Sequence, residues 1–499
     1  MFEDEIKHSI IKVMGHVPTA EQAAAMTEFS RFVADRQESV VMVLRGAAGT
    51  GKTTLAAAIV KALTLMKQKL VLMAPTGRAA KVFALYASHP AYTIHRRIYR
   101  QKTAGDLSAF NLNANLSSNT LFIVDEASMI ASGGYEESAF GSGHLLDDLI
   151  EFVYNGNGCR LMLIGDRAQL PPVGEKESPA LMSAMLRQYG LTVYESDLNE
   201  VVRQASDSGI LWNATAIRQL LNSSDGQIVL PRMMLKGFPD IKLVTGDELI
   251  ETLASSYSRV GLDETVIITR SNKRANIYNQ GIRRTVLDHE DTLCRGDRLM
   301  IVKNNYLYGE GLPSTISYIA NGDIAVVQRV RNERELYGFS FADITVQFPD
   351  YDQLELTATA LLTTLTTEAP ALTREQQQQL LDAVSNDYAD EPGIKGGEIQ
   401  DQSRASSDFG EAHPPLAEGK VTRTKLLKQD RYLNALQVKF AYAVTCHKAQ
   451  GGQWEHVYLD QGYMTDDMLT PDYIHWLYTA FTRATGCLFL VNWPEKMRE

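Results

Sequence analysis

The chain has 499 residues, 44% hydrophobic and 22% charged, the composition of a soluble globular protein with room for roughly two to four domains. A net charge of −11 argues against coating nucleic acid by overall attraction and leaves a local basic groove as the way to hold such a partner. No apolar run reaches the roughly 18 residues of a membrane helix, the 4 cysteines are scattered without a CxxC pair, and the start MFEDEIKHSI is acidic where a signal peptide is basic; a reducing cytoplasm is expected.

Residues 19–36 carry the spacing of an amphipathic helix opened by TAEQ. SVVMVLRG (39–46) reads as a buried strand, KTTLAAAIVKALTLM (52–66) as a helix and KLVLMAP (69–75) as a second buried strand ended by proline. GRAAKVFALYA (77–87) returns to helix, NTLFIVDEA (119–127) runs into two acids, and GCRLMLIGD (158–166) runs into an aspartate. Alternation of this kind over the first 195 residues predicts a parallel sheet covered by helices on both faces. The pattern restarts after residue 200. Helices are predicted at 209–222 and 246–260, and a strand-helix pair at 265–284. A strand at 439–451 enters a polar loop, and a helix at 472–485 precedes a closing strand at 486–493. Between these halves, MIVKNNY, GDIAVVQRV and DITVQF suggest the short strands of a small β-barrel. The stretch 366–418 turns polar, with a helix at REQQQQLLDAVSN, and 420–431 turns basic.

Chemistry concentrates at strand ends. GAAGTGKTT, from Gly46 through Ala47, Ala48, Gly49, Thr50, Gly51, Lys52 and Thr53 to Thr54, contains G-x-x-x-x-G-K-[ST] between a strand and a helix. Its glycines let backbone N–H groups wrap the phosphates of ATP, Lys52 reaches the terminal phosphates, and Thr53 ligates Mg2+. In IVDEAS, Asp125 is placed to hold the metal and Glu126 to deprotonate the attacking water. In LIGDRAQLPPV, Gln169 is placed to sense the terminal phosphate. Arg483 sits in LYTAFTRAT with no carboxylate beside it, although a guanidinium is costly to bury without an anion. A phosphoryl group gaining charge across a cleft would be that anion, with Arg203 in LNEVVRQ as a second cation.

The ordered set GAAGTGKT, APTGRAAK, TIHRRIY, IVDEAS, GDRAQLPPV, LNEVVRQ, VTCHKAQGGQW and LYTAFTRAT resembles superfamily 1 DNA helicases of the RecD/Dda branch. The resemblance implies two RecA-like motor domains, 1–195 and 196–300 with 431–499. It implies a small hairpin inserted at about 97–118 and an SH3-like barrel at 301–430. It further implies ATP between the halves and 5′→3′ movement along single-stranded DNA toward duplex junctions, by a monomeric motor. Carried over by motif, Gln22 would read adenine, while Thr19-x-x-Gln22 is equally a capping box. Pro75, Thr76, His95, Thr445 and His447 would meet DNA, and Gly451 the triphosphate. Gln453 stands where many relatives carry glutamate, so that side chain receives no role.

Local charge points the same way. HRRIYRQK (95–102) offers Arg96 and its neighbours to phosphates and Tyr99 as a stacking ring, and KVTRTKLLKQDRY (420–432) is a second basic stretch. Phe110 is the one aromatic residue in the polar stretch 101–118 and would be the strand-separating wedge. Two rivals stand beside the DNA helicase: an RNA helicase of the related Upf-type branch, and an ATP-gated binding module that does not unwind.

Overall fold

The computed structural model describes residues 2–101, 110–133, 142–201, 207–221, 229–305, 307–309, 319–388, 426–427 and 429–499. Eight strands come first in the chain: β1 (Val40–Gly46), β2 (Lys69–Ala74), β3 (Ala91–Thr93), β4 (Tyr99–Gln101), β5 (Phe110–Leu112), β6 (Thr120–Val124), β7 (Arg160–Gly165) and β8 (Thr192–Leu198). β4 and β5 pair as a separate hairpin, and the other six form one parallel sheet in the order β3-β2-β6-β7-β1-β8. Every residue of β1 and β6 is buried, as strands covered on both faces must be. The helix Phe2–Met14, passed over in the sequence reading, packs Ile6 and Ile10 against this half. Because β6, β7 and β1 are parallel neighbours, the acid pair, Asp166 and the phosphate loop leave the sheet side by side at its carboxyl edge, where open α/β sheets bind ligands.

The second group comprises β9 (Ile241–Val244), β10 (Thr265–Thr269), β11 (Arg298–Ile301), β12 (Ile324–Leu336), β13 (Phe339–Phe348), β14 (Leu354–Leu361), β15 (Leu436–Phe440), β16 (Ala443–Thr445), β17 (Trp454–Asp460) and β18 (Ala484–Val491). A parallel sheet runs β16-β10-β17-β18-β9, and β11 to β15 close a barrel. The barrel turns tightly between β12 and β13 at Tyr337 and Gly338, whose φ angles of 57° and 79° are those of the hairpin turn favoured by strand twist. Its β11 leads into the 301–430 segment and its β15 follows it, and β15 leads within a few residues into β16 of the second sheet. The helix Arg374–Asp387, opened by a capping box of Thr373 and Gln376, lays Leu380 and Val384 on Phe339, Phe341 and Leu361 of the barrel. The remainder of the polar stretch, 389–418, lies outside the described residues.

Boundaries differ from expectation at three places. The barrel reaches beyond 301–430, because β11 and β15 close it from 298 and to 440, and the strand expected at 439–451 is divided between β15 of the barrel and β16 of the second sheet. The predicted helix 472–485 ends earlier, as Pro471–Phe481, and Arg483 sits in the turn that follows. Ala484 already pairs with Trp454 in the β17–β18 ladder, so the sheet claims the chain before another helical turn forms.

Candidate nucleotide site and nucleic-acid face

After β1 the chain turns through Gly49 and Gly51, with φ of 77° and 76°, a left-handed conformation that glycine adopts without strain. Gly51 caps the helix Lys52–Leu65 with no side chain, so the helix start presents backbone N–H groups, the arrangement that binds phosphate. Lys52 Nζ donates to Gly46 O at 2.7 Å, and Thr50 Oγ1 to Ala47 O at 2.8 Å. Thr53 is half-buried and Thr54 exposed on the first helical turn. Gln22 forms the predicted capping box with Thr19, and its Nε2 donates to Thr50 O at 3.0 Å, so its amide braces the phosphate loop.

Asp125 and Glu126 follow β6. Glu126 takes a φ of 53°, unusual for a side chain of this kind, and donates its N–H to Asp125 Oδ1 at 2.9 Å. Burial, reinforced by the Glu126 charge and only partly offset by Lys52, pushes the Asp125 carboxyl up to about 7. Two adjacent, half-buried carboxylates suit a divalent cation. With its amide oriented to satisfy both neighbours, Gln169 donates to Glu126 Oε2 at 3.3 Å and accepts from Arg483 Nη2 at 3.3 Å. Arg483 is only 2% exposed. Its other bonds go to neutral oxygens: Nε to Thr479 O at 3.0 Å, Nη1 to Gly452 O at 3.2 Å and Nη2 to Thr482 Oγ1 at 3.1 Å. The acid pair of one half and the arginine of the other are thus joined through a single glutamine.

The residues that hold these groups in register escaped the sequence reading. The Tyr478 hydroxyl accepts Ala48 N–H of the phosphate loop at 2.9 Å and donates to Asp166 Oδ2 at 2.6 Å. Burial and the Asp166 charge raise its phenol well above the usual range. Leu170 N–H donates to Thr479 Oγ1 at 2.7 Å, Gln450 Nε2 to Leu170 O at 2.7 Å, and His475 Nδ1 to Ala168 O at 2.9 Å. Partners nearly 300 or more residues apart leave no local sequence signal; only their presence inside the quoted segments marks them. Gly451, expected at the triphosphate, packs on Thr76 and Ala79 of the first half; a Cβ there would lie 3.1 Å from Thr76 Oγ1 and 2.9 Å from Ala79 Cβ. Arg203 falls in 202–206, outside the described residues.

Pro75 and Thr76 are half-buried at the end of β2, and Thr76 caps the helix Gly77–Ala87 by accepting Ala79 N–H at 3.2 Å. Thr445 is half-buried and His447 exposed at the start of the short helix Cys446–Ala449. His95 lies on the helix Ile94–Ile98; although its ring keeps some exposure, the protein around it pushes the imidazole down to about 4. Tyr99 requires correction. Its ring is buried and its hydroxyl donates to Asp148 Oδ2 at 2.6 Å, so it anchors the core and offers no face for stacking. The ring exposed beside this basic segment is that of Tyr92, with the Arg96 guanidinium 5.5 Å from its centroid. The backbone of Phe110 pairs with Gln101 in the hairpin; its side chain is outside the described set. In the second basic stretch Arg431 is held by Asp343, and residues 420–425 are not described.

Comparison with known proteins gives two family matches, an AAA domain over residues 18–228 and a UvrD-like helicase C-terminal domain over 440–491. An uncharacterized protein of Acanthamoeba polyphaga mimivirus is 23% identical over 489 residues, 89% of this chain and 94% of that protein. The ATP-dependent DNA helicase dda of Enterobacteria phage T4 is 26% identical over 278 residues, 52% of this chain and 56% of its own. The ATP-dependent RecD2 DNA helicase of Deinococcus radiodurans is 28% identical over 219 residues, 41% of this chain and 27% of its own. The match therefore spans about half of the phage helicase and about a quarter of the bacterial one. Among solved structures, a Bacteroides Pif1 helicase with ADP-AlF3 and single-stranded DNA is 15% identical with a TM-score of 0.45, covering 97% of this chain and 95% of that one. Among the described residues, no helix is long and apolar enough to cross a membrane. The matched segments are those that carry the phosphate loop, the acid pair and the arginine turn, and together these likenesses support a superfamily 1 DNA helicase of the RecD/Dda type.

Proposed function

We propose that this protein is an ATP- and magnesium-dependent motor that moves 5′→3′ on single-stranded DNA and separates duplexes. The observation that carries the reading is the Glu126–Gln169–Arg483 relay, which joins a base in one half to a cation in the other. Bound magnesium would be held by Thr53 and Asp125 and would neutralise phosphate charge. Lys52 and the Gly46–Thr54 loop hold the phosphates, and Glu126 takes the proton of the attacking water. Gln169 aligns Glu126 with Arg483, and Arg483, with Arg203, supplies positive charge as the transition state forms. Gln22, which also braces the phosphate loop, reads adenine. Pro75, Thr76, His95, Arg96, Thr445 and His447 line the DNA path, Gly451 joins the halves at its edge, and the hairpin bearing Phe110 parts the strands.

In domain terms, 1–195 and 196–300 with 431–499 are the two RecA-like motor units. The barrel inserted between them, expected at 301–430 and closed by strands that reach 298 and 440, is read as SH3-like and flanks the track. The protein works as a monomer in the cytoplasm. The test is ATP hydrolysis with and without single-stranded DNA, with RNA of the same sequence as control, followed by unwinding of duplexes bearing a 5′ or a 3′ tail. Strong stimulation by DNA and unwinding only from the 5′ tail are expected. Equal stimulation by RNA would support an RNA motor, and hydrolysis without unwinding would leave an ATP-gated binding module.

A further inference from the structure

The basic segment after β3 needs a stacking ring if it is to hold single strands by more than charge, and Tyr99 is buried. Tyr92 is different. It stands in β3, the edge strand of the first sheet, and is 36% exposed. Beside it opens a niche of about 250 Å3 at the seam between the first half and the barrel, lined among others by Gly77, Lys81, Tyr92, Arg96 and Tyr351. That volume is below the ~300–1,000 Å3 of a site for a drug-sized molecule and suits a single planar group. The wall from the helix Gly77–Ala87 and β3 includes Ala80, Ala84 and Ala91, whose short side chains leave the space open.

The seam is also built. Lys81 Nζ pairs with Asp350 Oδ1 at 2.8 Å, joining the helix to the barrel turn. The Tyr351 hydroxyl donates to Asp323 Oδ1 at 2.8 Å, and that carboxylate sits where a Cβ on Gly77 would come within 3.0 Å. The Arg96 guanidinium also lines the niche, 5.5 Å from the centroid of the Tyr92 ring. The niche begins at Gly77, directly after the Thr76 cap, so it continues the face already assigned to the strand. A π face flanked by a guanidinium at the edge of a phosphate-tracking segment is the chemistry that takes a nucleobase.

We propose that Tyr92 is the stacking platform for one base of the bound single strand, in the niche between the first half and the barrel. This rests on the reading of the protein as a single-strand motor. Stacking on Tyr92 tolerates any base, because each has a π face, and adds affinity that salt does not screen.

The experiment is equilibrium binding of a labelled single-stranded oligothymidylate over a salt series, to the wild-type chain and to Tyr92→Ala, Tyr92→Phe and Arg96→Ala. Tyr92→Ala should weaken binding about 5- to 150-fold, the span of one base–aromatic stack, with the salt slope unchanged. Tyr92→Phe keeps the ring and should bind within about twofold. Arg96→Ala should instead flatten the slope by about 0.7, the single-strand value for one phosphate. Oligomers with one abasic site moved along the strand add a positional readout: the wild type should lose affinity at one position, and Tyr92→Ala should show no further loss there. Equal affinity of wild type and Tyr92→Ala, equal damage from Tyr92→Phe, or an abasic penalty that persists in Tyr92→Ala would overturn the assignment. If the wild type fails to bind the oligomer at all, the motor reading itself falls, a result distinct from a silent Tyr92.

Discussion

Arg483 bears the heaviest functional claim, and its surroundings allow the claim to be tested. The side chain is 2% exposed, and its bonds run to Thr479 O, Gly452 O, the Thr482 hydroxyl and the Gln169 amide, all neutral. A guanidinium held in this way keeps its charge available for an anion that arrives later. Arg483→Ala should lower DNA-stimulated kcat by about 3 kcal/mol or more, roughly 150-fold, because the charge acts on the transition state. KM for ATP should stay within a few-fold if ground-state binding rests on the phosphate loop. The structural cost has a different signature. Hydrogen bonds to neutral oxygens contribute about 0.5–1.5 kcal/mol each, and removing a buried charge offsets part of that loss. Arg483→Lys separates the two effects, since it retains charge but loses the planar fork that reaches Gln169 and Gly452 together. The assay is steady-state ATP hydrolysis with saturating single-stranded DNA, alongside thermal melting of each variant. A folded Arg483→Ala protein with kcat within tenfold of wild type would refute the role.

Tyr478→Phe leaves Ala48 N–H and one oxygen of Asp166 without their shared partner, so the melting free energy should fall by about 1.5–3 kcal/mol; an unchanged melt would show that the hydroxyl bridge contributes little. Asp125 rests at about 7, above its ordinary value, so without metal its contribution to stability is present at low pH and is lost as pH rises through 7. Magnesium affinity should therefore rise about tenfold per unit from pH 5 to 7 and then level off, and a flat calorimetric titration over that range would contradict the assignment. Buried Asp297 accepts from Arg283 Nε and Nη2 at 2.9 Å each, from Cys294 N–H at 2.7 Å, from Tyr442 at 3.0 Å and from His289 at 3.0 Å. Asp297→Ala should cost about 3–5 kcal/mol in chemical denaturation, and a loss under 1 kcal/mol would show that Arg283 finds other partners. Because those oxygens are filled, the His289, Cys294 and Asp297 trio should not be stabilised by added zinc, which a melting titration reads directly.

The sequence disclosed the site's parts where chemistry is bound to local pattern. A glycine-rich turn between a buried strand and a helix, and acids closing an apolar strand, are local facts, and β1 with Gly46–Thr54 and β6 with Asp125–Glu126 stand where those patterns put them. The barrel was legible as short strands with turns, and its hairpin at Tyr337–Gly338 follows from turn chemistry. What stayed hidden was set by distant contacts. The helix before Arg483 stops at Phe481 because β18 pairs with β17, and helical periodicity alone carries no trace of that competition. Tyr92 lies seven positions before Tyr99, just outside the basic stretch 95–102. Only the packing of Asp148 beneath Tyr99 decides which ring is buried.

The loop after β7 belongs to the first half by sequence and to the second by its bonds. Residues 166–170 meet Tyr478, Thr479, His475 and Gln450, and the neighbouring phosphate loop meets Tyr478 through Ala48. At about 0.5–1.5 kcal/mol each, these five contacts together contribute about 2.5–7.5 kcal/mol to closure, the scale on which a ligand shifts a two-state equilibrium. Gln169 sits inside this loop, so any motion that parts the halves breaks the bonds at Asp166, Ala168 and Leu170 and withdraws Gln169 from either Glu126 or Arg483. Hydrolysis competence and domain closure then become one event. A motor needs that coupling: a nucleotide cleaved in the open state would be spent without a step along the strand. In the proposed motor the short bridge of Gln169, read from sequence only as a phosphate sensor, would tie chemistry to movement.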